Sequence, residues 1–376
     1  MRDVLVVGLG AVGSAVAFEL ATRGVNVVGI DAYAPPHTLG STHGKSRIIR
    51  EAYFEHPSYV PLVQRAFARW AALAEASGAR LYTPTGGLSI GTPESPLVAG
   101  VLRSAHEHGL AIDVLTREAV AERFPAFALH ADMIGVFEHN AGMLAPEECI
   151  RAYLDLAARH GAVLRTNERV VDIRRRNDGF IVSSETAEYV ARRVVMCAGA
   201  WNAPLLDQLG INVPLVVTRQ TMHWLAPRGD PTLRAPERFP VTLVDHGEER
   251  IFYAMPDTGD GLKAAIHHEG TPTLPGTVDR EVHAEDRSAV TQLAGRFLPS
   301  VAGPIVESAV CLYTNTPDHD FAIGVPRAAP GVVLVSACSG HGFKFASALG
   351  QAAAQLALDQ SPDVDLSHFS VDRFPD

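Results

Sequence analysis

The stretch Asp3-Val4-Leu5-Val6-Val7-Gly8-Leu9-Gly10-Ala11-Val12-Gly13 decides the fold. A β-branched run meets three glycines at GxGxxG spacing, and apolar residues then recur at helical intervals as Val12, Val16 and Leu20. The pattern predicts strand, tight turn and helix. A second apolar run, Val25 to Ile30, ends in Asp31, about 20 residues past the glycines, where a carboxylate can accept ribose hydroxyls. Gly8 and Val12 belong to the turn, Gly10 lets the backbone approach a pyrophosphate, and Gly13 lets helix and strand pack closely. The helix N-terminus adds unpaired N–H groups and a positive dipole end. The fingerprint predicts dinucleotide binding and does not separate NAD from FAD. A glycine-rich turn in a ligand-free α/β domain is the competing reading.

Bulk properties narrow the class. A chain of 376 residues, 47% hydrophobic and 20% charged, is long enough for two or three domain-sized units around a large core. Its net charge of −10, with no basic run, argues against nucleic acid and anionic membrane surfaces. Cys149, Cys197, Cys311 and Cys338 show no CxxC spacing, so neither a metal site nor a disulfide scaffold is expected. The N-terminal apolar stretch is broken by glycines and falls short of the about 20 residues of a membrane span. A cytoplasmic protein is expected. Only three of the 32 basic residues are lysines, Lys45, Lys263 and Lys344, each in a Gly/His-rich stretch. Arginine does not replace a compact, titratable ammonium beside reacting groups, so these lysines are candidates for chemistry.

Along the chain, residues 1–80, 146–215 and 316–376 read as pieces of one Rossmann-like cofactor domain. They include a helix from Pro146 to His160 and a hairpin-like region near Val170 to Val182. Residues 81–145 and 216–315 carry alternating β-like runs punctuated by Pro and Gly, which predicts an inserted domain built on an antiparallel sheet. The fold class expected is therefore α/β with an α+β second domain.

Four further stretches carry a family resemblance. The strand Arg193 to Met196 runs through Cys197 into Ala198-Gly199-Ala200-Trp201, and with the N-terminal fingerprint this resembles the D-amino-acid-oxidase-like flavoproteins. FAD is thereby favoured over NAD. Gly40-Ser41-Thr42-His43-Gly44-Lys45-Ser46-Arg47-Ile48-Ile49-Arg50, Cys311-Leu312-Tyr313-Thr314 and Ser339-Gly340-His341-Gly342-Phe343-Lys344-Phe345 follow in order. Together they resemble the monomeric sarcosine oxidase and N-methyltryptophan oxidase family, which oxidises secondary amino acids.

The resemblance implies roles for residues that match. Cys311 is expected to carry a thioether to the flavin, and Arg47 to lie against the flavin face. Arg50 and Lys344 are expected to hold the substrate carboxylate with Tyr313 nearby, and burial of such cations points to resident anions. Lys263 and His267 lie four apart on an expected strand and so share a face. The resemblance gives Lys263 to oxygen activation and places His267 near the substrate amine and Tyr253 in the pocket. A core histidine and ordinary sheet packing are the competing readings for His267 and Tyr253, and His268 is expected to face solvent. The cofactor surface is expected to include Ser41, Thr42, Val170, Ala198, Gly199, Trp201, Gly340, His341, Gly342, Phe343 and Lys344. The sequence departs from the family at Lys45, where an acidic residue is expected, at Gly324, and over Leu243 to Arg250, expected to border the substrate's side chain.

The activity implied is FAD-dependent oxidation of an N-methyl or N-alkyl amino acid by a monomer. Hydride passes to flavin N5, the imine hydrolyses, and O2 is reduced to hydrogen peroxide. A flavin dehydrogenase of a cyclic or primary amino acid is the alternative within the class. A nicotinamide-dependent or non-catalytic dinucleotide-binding protein is the alternative outside it.

Overall fold

The computed structural model describes residues 1–374. Its first sheet is built around Arg2–Val7, with Val27–Ile30 and Val163–Arg165 on one side and Glu188–Met196 and Val332–Ser336 on the other, all parallel. A hairpin, Val170–Arg176 and Gly179–Ser184, extends the sheet by antiparallel pairing with the first half of Glu188–Met196. Parallel strands need covering on both faces, which explains why their sequences are continuously apolar. Val4 and Val6 point into one core with the helices Ala11–Thr22, Tyr59–Ser77, Pro146–Arg159 and Ala346–Ala357. Leu5 and Val7 point into another with Leu205, Leu206 and Ile211.

The second sheet has nine strands, among them Gly87–Gly91, Val241–Asp245, Ile251–Met255, Leu262–His267, Val216–Pro227 and Ala302–Asn315. It is not purely antiparallel as expected. Val241–Asp245 pairs in parallel with Gly87–Gly91, so one seam of the sheet joins segments some 150 residues apart in the opposite sense from its neighbours. Period-two alternation divides this sheet into two faces. Val244, Phe252, Leu262 and Ala264 pack under the helix Ala284–Phe297. On the other face Tyr253 stands opposite Ala265, Gln220 opposite Cys311 and Thr218 opposite Tyr313. Lys263 and His267 flank Ala265 on that same face. A third, three-stranded sheet of Arg47–Ile49, Gly142–Leu144 and Tyr82–Pro84 joins the two larger ones and carries Arg47.

The helices Ala11–Thr22 and Ala346–Ala357 touch backbone to backbone at Gly350, where a Cβ would meet the Cβ of Ala15 and lie 3.0 Å from its carbonyl carbon. Gly350→Val should therefore lower the thermal unfolding midpoint by the equivalent of about 1–3 kcal/mol of overpacking. Gly276→Ala, at an open position, should leave it unchanged. Equal midpoints for the two variants would contradict this packing.

Candidate active site

The C-terminal ends of the parallel strands open into a cavity of about 480 Å³. Gly8, with φ +89°, closes the first turn against the Cys197 carbonyl, where a Cβ would clash. Gly13 does not line the cavity; a Cβ there would strike the Gly8 carbonyl, so its part is the close helix–strand contact. The helix Ala11–Thr22 has no side-chain cap at Gly10, and its first N–H groups face the cavity wall formed by Gly10, Ala11 and Val12. Asp31 follows the strand Val27–Ile30 and is buried. It accepts the Leu9 N–H at 2.7 Å on one oxygen and the Tyr33 N–H at 2.9 Å on the other. Burial pushes its carboxyl pKa up, against the pull of those two amides. Each oxygen keeps a lone pair for a hydroxyl. Uncapped amides beside a glycine turn, and a carboxylate with free lone pairs at the next strand end, fit the pyrophosphate and ribose of a dinucleotide. Ser41, Thr42, Val170, Ala198, Gly199 and Trp201 line this part of the cavity.

The cavity continues onto the face of the second sheet, where Tyr253, His267, Cys311 and Tyr313 line it. Gly340, at φ +76°, lets Tyr313 and His267 close in; a Cβ there would lie 2.6 Å from His267 Cε1 and collide with the Tyr313 ring. His267 Nδ1 is 3.2 Å from the Tyr313 hydroxyl. Burial, then the neighbouring His268, hold the His267 pKa well below its ordinary value, and burial holds that of Tyr313 well above. Both are neutral around pH 7. His268 is exposed, with its ring edge-on to His267 at 4.0 Å. Cys311 is buried, with Sγ 3.5 Å from the Ser41 carbonyl and 3.8 Å from Arg47 Nη2. Burial raises its thiol pKa, and the Arg47 charge opposes the rise.

The cations are the unusual feature. Arg47 donates to the Ser46 and Ser41 carbonyls at 2.9 and 3.0 Å. Lys344 is buried and donates to the Tyr53 hydroxyl at 3.1 Å and the His341 carbonyl at 2.7 Å. Burial, with the charge of Arg50 adding, pushes the Lys344 pKa down to about 7. Arg50 already has an anion of the chain beside it: its Nη2 is paired with Glu55 at 2.8 Å, while Nη1 donates to the Ala52 carbonyl. Two of its five N–H donors are thereby used. Glu138, also buried, accepts the Glu51 and Ala52 N–H groups at 2.7 and 2.8 Å and so holds the turn just after Arg50. Burial pushes the Glu138 pKa up to about 7 against the pull of Arg50.

Two placements refine the expectations. Lys263 does not line the cavity with His267. Its ammonium lies just behind the wall, donating to the Gly44 and Ser46 carbonyls at 2.7 Å each, and burial lowers its pKa well below the usual lysine range. Of the stretch Leu243 to Arg250, only Leu243 borders the cavity, because strand alternation turns Val244 into the opposite core. Lys45 is half-exposed, paired with Asp260 at 3.1 Å and Glu307 at 2.7 Å over the Trp224 ring. Those acidic partners account for a lysine there without a role at the cofactor. Sequence reasoning missed Tyr53, Glu55 and Glu138. Glu55, five residues past Arg50 in the same short connection, offered a local signal; Glu138 comes from a distant strand and offered none.

The chain matches the FAD dependent oxidoreductase (DAO) family over residues 3–356. It is 38% identical over 361 residues to the monomeric sarcosine oxidase of Streptomyces avermitilis, covering 95% of this chain and 93% of that one. It is 35% identical over 375 residues to the N-methyl-L-tryptophan oxidase of Yersinia pestis, covering 99% of each. Among solved structures it superposes on NikD, an unusual amino acid oxidase essential for nikkomycin biosynthesis, with a TM-score of 0.86 at 24% identity, over 98% of this chain and 97% of that one.

The lowered pKa of Lys344 has a signed consequence. Below about pH 7 the lysine is charged in both folded and unfolded chains, between about 7 and its ordinary 10.5 only the unfolded chain is protonated, and above that neither is. Its burial penalty is thus fully present below pH 7 and fades as pH rises through that window. The stability of Lys344→Met relative to the parent should be most favourable near pH 6 and decline steadily toward pH 10.5. Thermal midpoints of both proteins across this range measure it; a difference independent of pH would contradict a depressed pKa.

Proposed function

This chain belongs to the FAD-dependent oxidoreductase family, and on that premise we propose that it is an oxidase of secondary amino acids, taking N-methyl or other N-alkyl groups. The observation that carries the reading is the pair of buried cations, Arg50 and Lys344, at the inner end of a cavity that runs from the glycine turn to the Tyr253–His267–Tyr313 wall. Relatives named for sarcosine and N-methyltryptophan oxidation support the substrate class. For an N-methyl substrate the balanced reaction is amino acid, water and oxygen giving the demethylated amino acid, formaldehyde and hydrogen peroxide. Bound FAD supplies the two-electron acceptor.

The chain's own residues do the rest. Arg50 offers a planar fork and Lys344 a point charge, so one carboxylate is gripped by two geometries and the substrate's orientation is set. Confinement of the reacting carbon by this grip is the main rate contribution expected of the protein. His267, Tyr313 and Tyr253 are neutral walls; burial pushes the Tyr253 pKa up to about 12, and no side chain there is a strong base. The substrate amine must therefore arrive unprotonated. Cys311 is the matching cysteine for a covalent thioether, and the Arg47 guanidinium beside its sulfur offsets part of the rise in thiol pKa that burial imposes. Lys263, a buried amino group held by two carbonyls with its pKa depressed by burial, is suited to gaining positive charge as negative charge develops on oxygen next to the wall, and so to stabilising that negative charge. The expectation of a cytoplasmic monomer rests on free cysteines and on the name of the sarcosine oxidase relatives.

The FAD-loaded protein, mixed anaerobically with an N-methyl amino acid, should bleach at 450 nm or thereabouts and recover its colour in air with release of hydrogen peroxide. Lys263→Met should retain bleaching and slow recovery by about 100-fold, the scale of losing one preorganised charge. Acid precipitation should leave the yellow colour in the pellet, and in the supernatant for Cys311→Ser. Failure of secondary amino acids to bleach the protein, with bleaching by proline or a primary amino acid, would establish the alternative substrate class. Copurification without flavin, even after reconstitution, would overturn the reading altogether.

A further inference from the structure

Tyr53 is fully buried and lies outside the cavity, yet both cations facing the cavity rest on it. The Arg50 guanidinium stacks over its ring, 4.3 Å from the centroid. The Lys344 ammonium donates to its hydroxyl at 3.1 Å. The ring itself is clamped, stacked on Tyr59 at 4.6 Å and edge-on to Phe345 at 5.2 Å.

The direction of the hydroxyl follows from its other neighbour. His341 Nε2 is 3.2 Å from the His319 carbonyl, which can only accept, so Nε2 carries the proton and Nδ1 the lone pair. Burial and the Lys344 charge hold the His341 pKa well below its ordinary value, keeping the ring neutral in that tautomer. The Tyr53 hydroxyl must then donate to Nδ1, 2.7 Å away, and its oxygen turns its lone pairs toward Lys344. With one lysine N–H spent on Tyr53 and one on the His341 carbonyl, a single donor is left for the cavity.

We infer that Tyr53 is the positioning residue of carboxylate recognition: its ring sets the plane of the Arg50 fork, its hydroxyl sets the direction of the Lys344 ammonium, and the two cations act as one grip. The inference rests on the amino-acid oxidase reading above, but concerns a residue that never touches substrate.

The test uses the FAD-loaded full chain and two substrates, a secondary amino acid and its carboxamide, which lacks the negative charge. Tyr53→Phe keeps the ring and removes the hydroxyl. It should lower kcat/KM for the acid about tenfold, mainly through KM, and change that for the carboxamide less than twofold. Tyr53→Leu, which removes the ring as well, should lower the acid value further with the carboxamide again spared. Equal losses for both substrates, or none, would overturn the inference, since a merely structural role would not discriminate between them. A parent protein that oxidises neither compound would overturn the functional reading instead. The affinity for propionate, read from the flavin absorbance, would then decide on Tyr53 alone: weaker by about tenfold in Tyr53→Phe supports positioning, and unchanged affinity refutes it.

Discussion

Basic groups enclosed beside the cavity with few carboxylates to match them are the constraint around which this molecule is arranged: Arg50, Lys263 and Lys344 are buried and Arg47 half-buried, and burial depresses the pKa of both lysines. Arg47, Lys263 and Lys344 are satisfied by backbone carbonyls and one phenol, and only Arg50 has a carboxylate partner of its own. An isolated buried cation is expensive, and carbonyl dipoles offset that cost only when they are held rigidly in place. The frame supplies the rigidity. The three-stranded sheet fixes the backbone of Arg47, the turn after Arg50 is anchored by Glu138, and the 3-10 turn Phe343–Phe345 holds Lys344 under Trp70, whose ring N–H donates to the Lys344 carbonyl at 2.8 Å. On the proposed function, an anion entering the cavity would complete a charge balance that the folded chain leaves open.

The same constraint explains why Glu55 sits on Arg50. A guanidinium left alone at 4% side-chain exposure would cost several kcal/mol, and a short connection that can reach it provides a resident substitute. Exchange of one carboxylate for another changes the occupant without leaving the charge bare. On the proposed function, specificity for an amino acid would depend less on attraction, which Glu55 already shares, than on whether Lys344 is given a partner at the same time. A neutral ligand can accept a hydrogen bond from Lys344 but brings no charge, whereas a carboxylate would raise the lysine's affinity for protons as it bound.

What the sequence disclosed was whatever is local or periodic. The glycine turn and Asp31 lie within one β-α-β unit, and strand alternation places Lys263 and His267 on a single face, to which the observed register adds Tyr253. The errors and omissions are long-range. Alternation fixes the face of Lys263 but not its depth, which depends on the loop at Gly44 folding over it. The parallel seam between Gly87–Gly91 and Val241–Asp245 brings together segments with no shared pattern. Lys45 finds acidic partners 215 and 262 residues away, and Glu138 reaches the turn after Arg50 across 87 residues. Tyr53 was hidden for a different reason: an aromatic beside another aromatic reads as core, which it is, and the polar contacts of its hydroxyl come from residues 288 and 291 positions later.

The most direct test of the charge account is calorimetric. An amine-free carboxylate such as propionate is titrated into the flavin-loaded protein at about pH 8 in buffers of different ionisation heat, so that protons taken up or released on binding are counted. Lys344 and Glu138 both have pKa values of about 7 in the free protein, and an anion beside them raises both. The account predicts net proton uptake at that pH, abolished in large part by Lys344→Met. Binding with no proton exchange, or with release, would show that the cations are already fully charged and balanced, and would contradict it.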